Sequence, residues 1–179
     1  SELPDDLDNV VKIELNNYGV LALRDDGSLV QWGYTASSPP NNINAIDIAP
    51  SYWRNYALKY DGSIVTWGQN NYNSSSNMPS GDNNTGFVQI AGGKCHTLAL
   101  KSDGTVVAWG FGTWCAEGGS SDFGQTQVPD GLANVVSISA SYSTSLALRS
   151  DGTIVTWGKQ DDQPDEGVTF ENQIVFFHR

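Results

Sequence analysis

Apolar positions in this chain fall in runs of about four to six residues, punctuated by Gly, Pro, Asn, Asp and Ser, and nowhere take up the three-to-four spacing of an amphipathic helix. The run Ala99-Leu-Lys-Ser-Asp-Gly-Thr-Val-Val-Ala-Trp-Gly110 sets the pattern. Two strand-forming arms flank Asp103-Gly104, which predicts a hairpin with a two-residue type I′ turn. The same hairpin recurs at Ala22–Gly33, Ala57–Gly68 and Ala147–Gly158, each ending in Trp-Gly. Four copies of one hairpin predict a repeat protein.

The segment before each hairpin repeats in the same register. Thirteen positions before the turn aspartates Asp26, Asp61, Asp103 and Asp151 stand Ile13, Ile48, Ile90 and Ile138; two positions earlier stand Val11, Ile46, Val88 and Val136. This predicts a further strand at fixed offset. Pro4, Pro40, Pro79 and Pro129 open the units, where a missing backbone donor suits a loop or strand edge. Each unit reads as three strands plus a short fourth such as Gln125-Thr-Gln-Val128. The strands are apolar on both faces, and the repeat length runs from 35 to 48 residues (61−26, 151−103). Sheets buried on both faces and repeating at this length predict an all-β chain, a β-propeller of four-stranded antiparallel blades. The chain divides into repeats at about 4–39, 40–78, 79–128 and 129–163, with a partial fifth at 164–179, all in one domain. A β-sandwich does not account for four Trp-Gly endings in register.

Residues Ile90 to Gly110, with Gly124-Gln-Thr-Gln-Val-Pro129 after them, resemble the regulator-of-chromosome-condensation repeat, and most closely its bacterial branch that includes a propeller-shaped β-lactamase inhibitor. The resemblance implies a rigid propeller, usually of about seven blades, that serves as a protein-binding platform. It implies no activity, because one fold hosts many functions. This chain departs from the pattern. Only four hairpins are present, and Ile174-Val-Phe-Phe177 reads as the first strand of a fifth unit, so the ring is incomplete or closes through oligomerisation. Ala-Gly-Gly survives only at Ala91-Gly92-Gly93, and the family histidine only as His96, which reads as structural because Gly19, Arg54 and Thr144 replace it elsewhere.

Charge narrows the choice of partner. Twenty acidic against nine basic residues give a net charge of −11, which repels nucleic acid and anionic lipid. No apolar run approaches the roughly 18 residues of a membrane span, so no membrane insertion is expected. Low Lys with abundant Asn, Ser and Gly leans towards an extracellular or cell-surface protein. Cys95 and Cys115, both in loops of the third unit, are candidates for a disulfide; two free thiols of a reducing compartment are the other option.

Spacing locates the variable surface. From unit proline to Trp the count stays between 27 and 30 (67−40, 109−79), whereas from the following Gly to the next proline it runs from 6 to 19 (164−158, 129−110). In an up-and-down blade the loop between strands one and two shares a side with the loop between strands three and four. On that side the sequence collects Tyr18, Tyr34, Tyr52, Trp53, Arg54, Tyr72, Trp114 and Tyr142. Aromatic residues and Arg are the usual anchors of binding surfaces. These are the candidate binding residues, although aromatics that only order long loops would look the same. Trp32, Trp67, Trp109 and Trp157 are assigned to the core.

No phosphate loop, zinc-protease motif or serine elbow occurs, so no catalytic residue, metal or cofactor is expected. Asp82 to Gly86 and Asp161 to Glu166 are oxygen-rich but do not fit a calcium loop. Asn73-Ser-Ser and Asn83-Asn-Thr match glycan acceptors. The expected function is a non-catalytic binding module that recognises a partner protein. A glycan-binding or adhesion module is the alternative, and self-association through the terminal strands is a further option.

Overall fold

A computed structural model describes residues 4, 7–15, 19–33, 37–52, 54–69, 77–110 and 123–159. Their regular structure is all-β apart from one 3-10 turn at Gly81–Asn83. Four antiparallel sheets follow one another along the chain, each with its strands in sequence order. The first holds β1 (Val10–Leu15), β2 (Gly19–Arg24) and β3 (Leu29–Gly33); the second β4 (Ala45–Pro50), β5 (Arg54–Lys59) and β6 (Ile64–Gly68). The third holds β7 (Phe87–Gly92), β8 (His96–Lys101) and β9 (Val106–Gly110); the fourth β10 (Val135–Ser141), β11 (Thr144–Arg149) and β12 (Ile154–Gly158). The first strands lie side by side, β1 against β4, β4 against β7 and β7 against β10. They line a cleft of about 210 Å³ that Lys12, Glu14, Ile48, Gln89 and Ile138 border. The sheets are thus propeller blades set around a shared axis.

Two local expectations are corrected. Among the described residues each blade has three strands rather than four, and Gln125–Val128 forms a turn, with the Gln127 N–H on the Gly124 carbonyl at 2.9 Å. The reason is that the Gln125 carbonyl already accepts from the Trp157 indole and the Ser145 hydroxyl, both at 2.9 Å, so it cannot serve a ladder. In the second blade a side chain does the work of an edge partner: the Asn84 amide accepts from the Ile64 N–H and donates to its carbonyl, both at 2.9 Å. The hairpin turns are not type I′ either. Gly27, Gly62, Gly104 and Gly152 have φ of +77 to +87°, but their aspartates do not. Each Gly N–H closes on the carbonyl three residues back, and each aspartate accepts from the N–H two residues on, at 2.8–3.0 Å. This Asx bond keeps the aspartate right-handed and leaves the left-handed place to glycine, a type I turn with a glycine bulge.

Each first strand is also bulged, its pairing skipping one residue at Val11, Ile46, Val88 and Val136. These four apolar side chains are exposed, where the strand pattern predicts core. The bulge follows a left-handed residue at a fixed place, Asn9, Asn44, Gly86 or Asn134. Its carbonyl accepts the N–H of the residue just before the turn aspartate, at 2.9–3.1 Å. Asn and Gly are the residues that adopt this conformation at least cost.

The core lies between blades. Leu21, Leu23 and Leu29 of the first pack on Ile48 and Trp67 of the second. Tyr56, Leu58 and Ile64 pack on Ile90 and Trp109, and Leu98, Leu100 and Val106 on Ile138 and Trp157. Each such aliphatic side chain, once buried, contributes about 1.5–3 kcal/mol. Trp32 corrects the core assignment: it is only half-buried, because no described blade packs on it as those before Trp67, Trp109 and Trp157 do on them. Near the axis a polar hand-off runs alongside. Lys12 Nζ donates to Asp47 Oδ1 at 2.6 Å, Asp47 Oδ2 accepts from the Ile90 N–H at 3.0 Å, and the Gln89 amide brackets the Ile138 N–H and carbonyl at 3.0 and 3.1 Å. Burial disfavours the Lys12 charge, but Asp47 and Glu14 together outweigh it and raise its pKa.

Candidate functional site

Strand pairing sets Gly19 against Gly33, Arg54 against Gly68, His96 against Gly110 and Thr144 against Gly158. The loops entering every second strand therefore share a face with the ends of every third strand. The glycine of each Trp-Gly has a φ between +94 and +119°. A Cβ on Gly110 would collide with the Cys95 carbonyl, and one on Gly158 with that of Ser143. The motif is thus a backbone crossing at the rim of this face.

Three successive blades meet there. The Tyr52 N–H donates to the Lys94 carbonyl at 2.9 Å, and the Lys94 N–H to the Tyr142 carbonyl at 2.7 Å. Side chains repeat the linkage: Lys94 Nζ stands 5.3 Å from the centre of the Tyr52 ring and 4.6 Å from that of Tyr142, and donates to the Tyr142 hydroxyl at 3.2 Å. An ammonium within about 6 Å of a ring face is attracted by roughly 0.5–1 kcal/mol at exposed sites. Tyr142 holds a φ of +47° and is 58 % exposed. The result is a cation flanked by two aromatic rings on an otherwise acidic molecule.

Of the residues singled out in sequence, Tyr52 and Tyr142 are thus brought together. Arg54 is half-buried and turned along its own sheet, its Nε donating to Thr66 Oγ1 at 3.0 Å. Tyr18, Tyr34, Trp53, Tyr72 and Trp114 lie outside the described residues. Lys94 was not among the residues singled out, because it stands next to Gly92-Gly93; its one signal was a basic residue in the same loop class as Tyr52, Arg54 and Tyr142.

Beneath this face His96 is 1 % exposed and joins the third blade to the fourth. Its Nε2 lies 2.9 Å from Ser145 Oγ, which in turn donates to the Gln125 carbonyl at 2.9 Å. Burial lowers the pKa of His96 to about 4 and outweighs a backbone bond to Thr144 that acts the other way. Ser145 is wholly buried, so this histidine–serine pair is closed to substrate and ties blades together. A Cβ on Gly93 would run into the His96 ring, which explains why the Gly-Gly and the histidine occur together in the third unit alone. Cys95 is buried and is not a free thiol; Cys115 lies outside the described residues. Among the described residues no group of three or more His, Cys, Asp or Glu could hold a metal. Of the oxygen-rich segments, 82–86 is engaged through Asn84 with β6, and 161–166 lies outside the described residues. No helix among the described residues is long and apolar enough to cross a membrane.

Residues 87–113 and 135–163 match the regulator of chromosome condensation (RCC1) repeat, so the third and fourth units are repeats of this type. No curated protein matches the chain. Among solved structures, Prp20p from Saccharomyces cerevisiae, described with its binding to Gsp1p and histones, is similar at 22 % identity and TM-score 0.64, over 85 % of this chain and 44 % of that one. Human WBSCR16 is similar at 21 % identity and TM-score 0.64, over 88 % and 50 %. The CRINKLY WD40 ectodomain of the Arabidopsis thaliana receptor kinase ACR4 is similar at 18 % and 0.63, over 83 % and 49 %. At these identities the likeness shows the fold, and the chain spans about half the length of these structures.

Proposed function

We propose that this chain is a non-catalytic protein-binding platform whose recognition surface is the face built from the loops between strands one and two and those after strand three. The carrying observation is the Tyr52–Lys94–Tyr142 cluster, in which three blades gather two rings and a cation on that face. Rigid tyrosines held by backbone bonds offer contact area at low entropic cost, and Lys94 suits a partner with an acidic or carbonyl-rich contact. Prp20p, a structural neighbour, is itself described by its binding to proteins. Trp53 and Trp114, with Tyr18, Tyr34 and Tyr72, complete the proposed surface, and the inhibitor-branch likeness points the same way.

The glycan-binding alternative is weakened at this cluster, because the ammonium of Lys94 lies over the rings on which a sugar would stack. An extracellular or cell-surface location goes with a Cys95–Cys115 bridge, which the buried, non-free Cys95 supports. The decisive experiment is affinity capture with the immobilised chain, run in parallel with Tyr142→Ala and Trp53→Ala. A captured protein that binds either variant about 30-fold more weakly, a loss of about 2 kcal/mol, is the expected outcome. Normal binding by both variants, together with loss on Asp61→Ala on the opposite face, would place the surface at the wrong end. Selective binding on a glycan array would favour the alternative.

A further inference from the structure

Asp-Gly pairs occur at five places in the chain, four in the hairpin turns and one at Asp130-Gly131. Such a pair is where a backbone most readily rearranges, because the glycine nitrogen can attack the aspartate side chain with no Cβ in its way. In the hairpins both reactants are tied down. The Gly27, Gly62, Gly104 and Gly152 N–H groups close their turns on the Arg24, Lys59, Lys101 and Arg149 carbonyls at 2.9–3.0 Å. The neighbouring carboxylates accept from the N–H groups of Ser28, Ser63, Thr105 and Thr153 at 2.8–3.0 Å.

Asp130-Gly131 occupies a different place in its turn. The closing bond runs from the Leu132 N–H to the Pro129 carbonyl at 3.1 Å, so Asp130 and Gly131 are the two central residues. A φ of +75° at Gly131, with none positive at Asp130, makes this a type II turn. The Gly131 N–H is therefore not the closing donor. Among the described residues no hydrogen bond engages that N–H or the Asp130 carboxylate. Both residues are exposed, and a Cβ on Gly131 would meet nothing within 4 Å.

We propose that Asp130-Gly131 is a modification site, where the folded chain forms isoaspartate while its four hairpin aspartates are protected. The Gly131 nitrogen bonds to the side-chain carboxyl carbon of Asp130, and one carboxyl oxygen leaves as water with the amide proton and the acid proton. Water then opens the cyclic imide. Opening at the original backbone carbonyl leaves the chain running through the side chain, one carbon longer, with a free α-carboxylate. Such a residue is the substrate of a carboxyl methyltransferase that esterifies isoaspartate. Val128 and Leu132, on either side, pack on the core cluster that joins the third blade to the fourth, so the added carbon falls at that junction.

The test is incubation of the full folded chain at neutral pH and physiological temperature, with circular dichroism to verify the fold throughout. Digestion that separates the sites is followed by labelling with an isoaspartate-specific carboxyl methyltransferase and S-adenosylmethionine. Methyl uptake in the peptide carrying Asp130 should run about tenfold or more ahead of any hairpin peptide, because each hairpin site must first give up two hydrogen bonds. In denaturing urea, where those bonds are gone, all the Asp-Gly sites should react at comparable rates. Asp130→Glu, whose longer side chain does not close the small ring, should abolish uptake in its peptide. Equal rates at every site of the folded chain, or no isoaspartate at Asp130 where the unfolded chain forms it, would overturn the proposal.

Discussion

His96 shows how one side chain can be both a family mark and a liability. Its folded pKa of about 4 lies below the ordinary 6.5, so the folded state releases a proton that the unfolded chain still binds. Its contribution is therefore complete above pH 6.5 and is lost as pH falls from there towards 4, by up to about 3 kcal/mol over that window. His96→Gln, which cannot titrate, should flatten the stability profile over that range in urea unfolding; an unchanged slope would show that another group sets it. Gly93→Ala should destabilise the wild type but be partly tolerated beside His96→Ser, since the clash is with the imidazole ring. A double-mutant cycle reads that coupling directly.

At the scale of the strand and hairpin, the turn aspartate is an anchor for local backbone. Asp61 accepts from the Ser63 N–H and hydroxyl and from Lys59 Nζ at 2.6–3.0 Å, and these bonds lower its pKa, first through Lys59. A lowered carboxylate pKa stabilises above the ordinary value of 3.8 and stops doing so as pH falls through the folded value, so the four hairpins weaken in a more acidic window than His96. Asp61→Ala should lower the melting temperature at pH 7, and its difference from wild type should shrink in strong acid. Between blades the stakes rise. Asp47→Ala leaves Lys12 without its main counter-charge and the Ile90 N–H without its acceptor, at a cost of about 2–3 kcal/mol in denaturant unfolding. Loss of less than about 0.5 kcal/mol would make the hand-off incidental.

At the scale of the whole molecule, rigidity and openness are set by the same repeat. Interior blades bury both faces, so the loop face between them is held by backbone bonds from Tyr52 through Lys94 to Tyr142. A bridge from Cys95 to Cys115 would close a loop with 19 residues between its cysteines (115−95−1), worth about 3 kcal/mol in the chain-entropy model. Thiol titration of unreduced, denatured protein should find no reactive thiol. Two per chain would refute the bridge and remove the argument for export.

The repeat, the strand positions and the all-β propeller architecture were legible in the sequence because a hairpin copied four times repeats its apolar spacing, and that spacing is a local property of the chain. The loop face was legible too, since strand parity follows from counting. Other features were not. Val11 and its equivalents read as core, yet a bulge after a left-handed Asn turns them outward; the recurring Asn9, Asn44 and Asn134 were the unread signal. The type I turn with its glycine bulge rests on which groups the aspartate bonds, and the Gln125 turn on two side chains that arrive from residues 20 and 32 positions away. Lys94 entered the proposed surface only when neighbouring blades brought Tyr52 and Tyr142 to its ammonium. Sequence by itself determined the unit, because each blade's pattern is written within about 30 consecutive residues (109−79). Tertiary structure alone decided how units meet, because Ile13 and Ile138 are the same residue at the same place in the repeat, and only a neighbouring blade makes one buried and the other exposed.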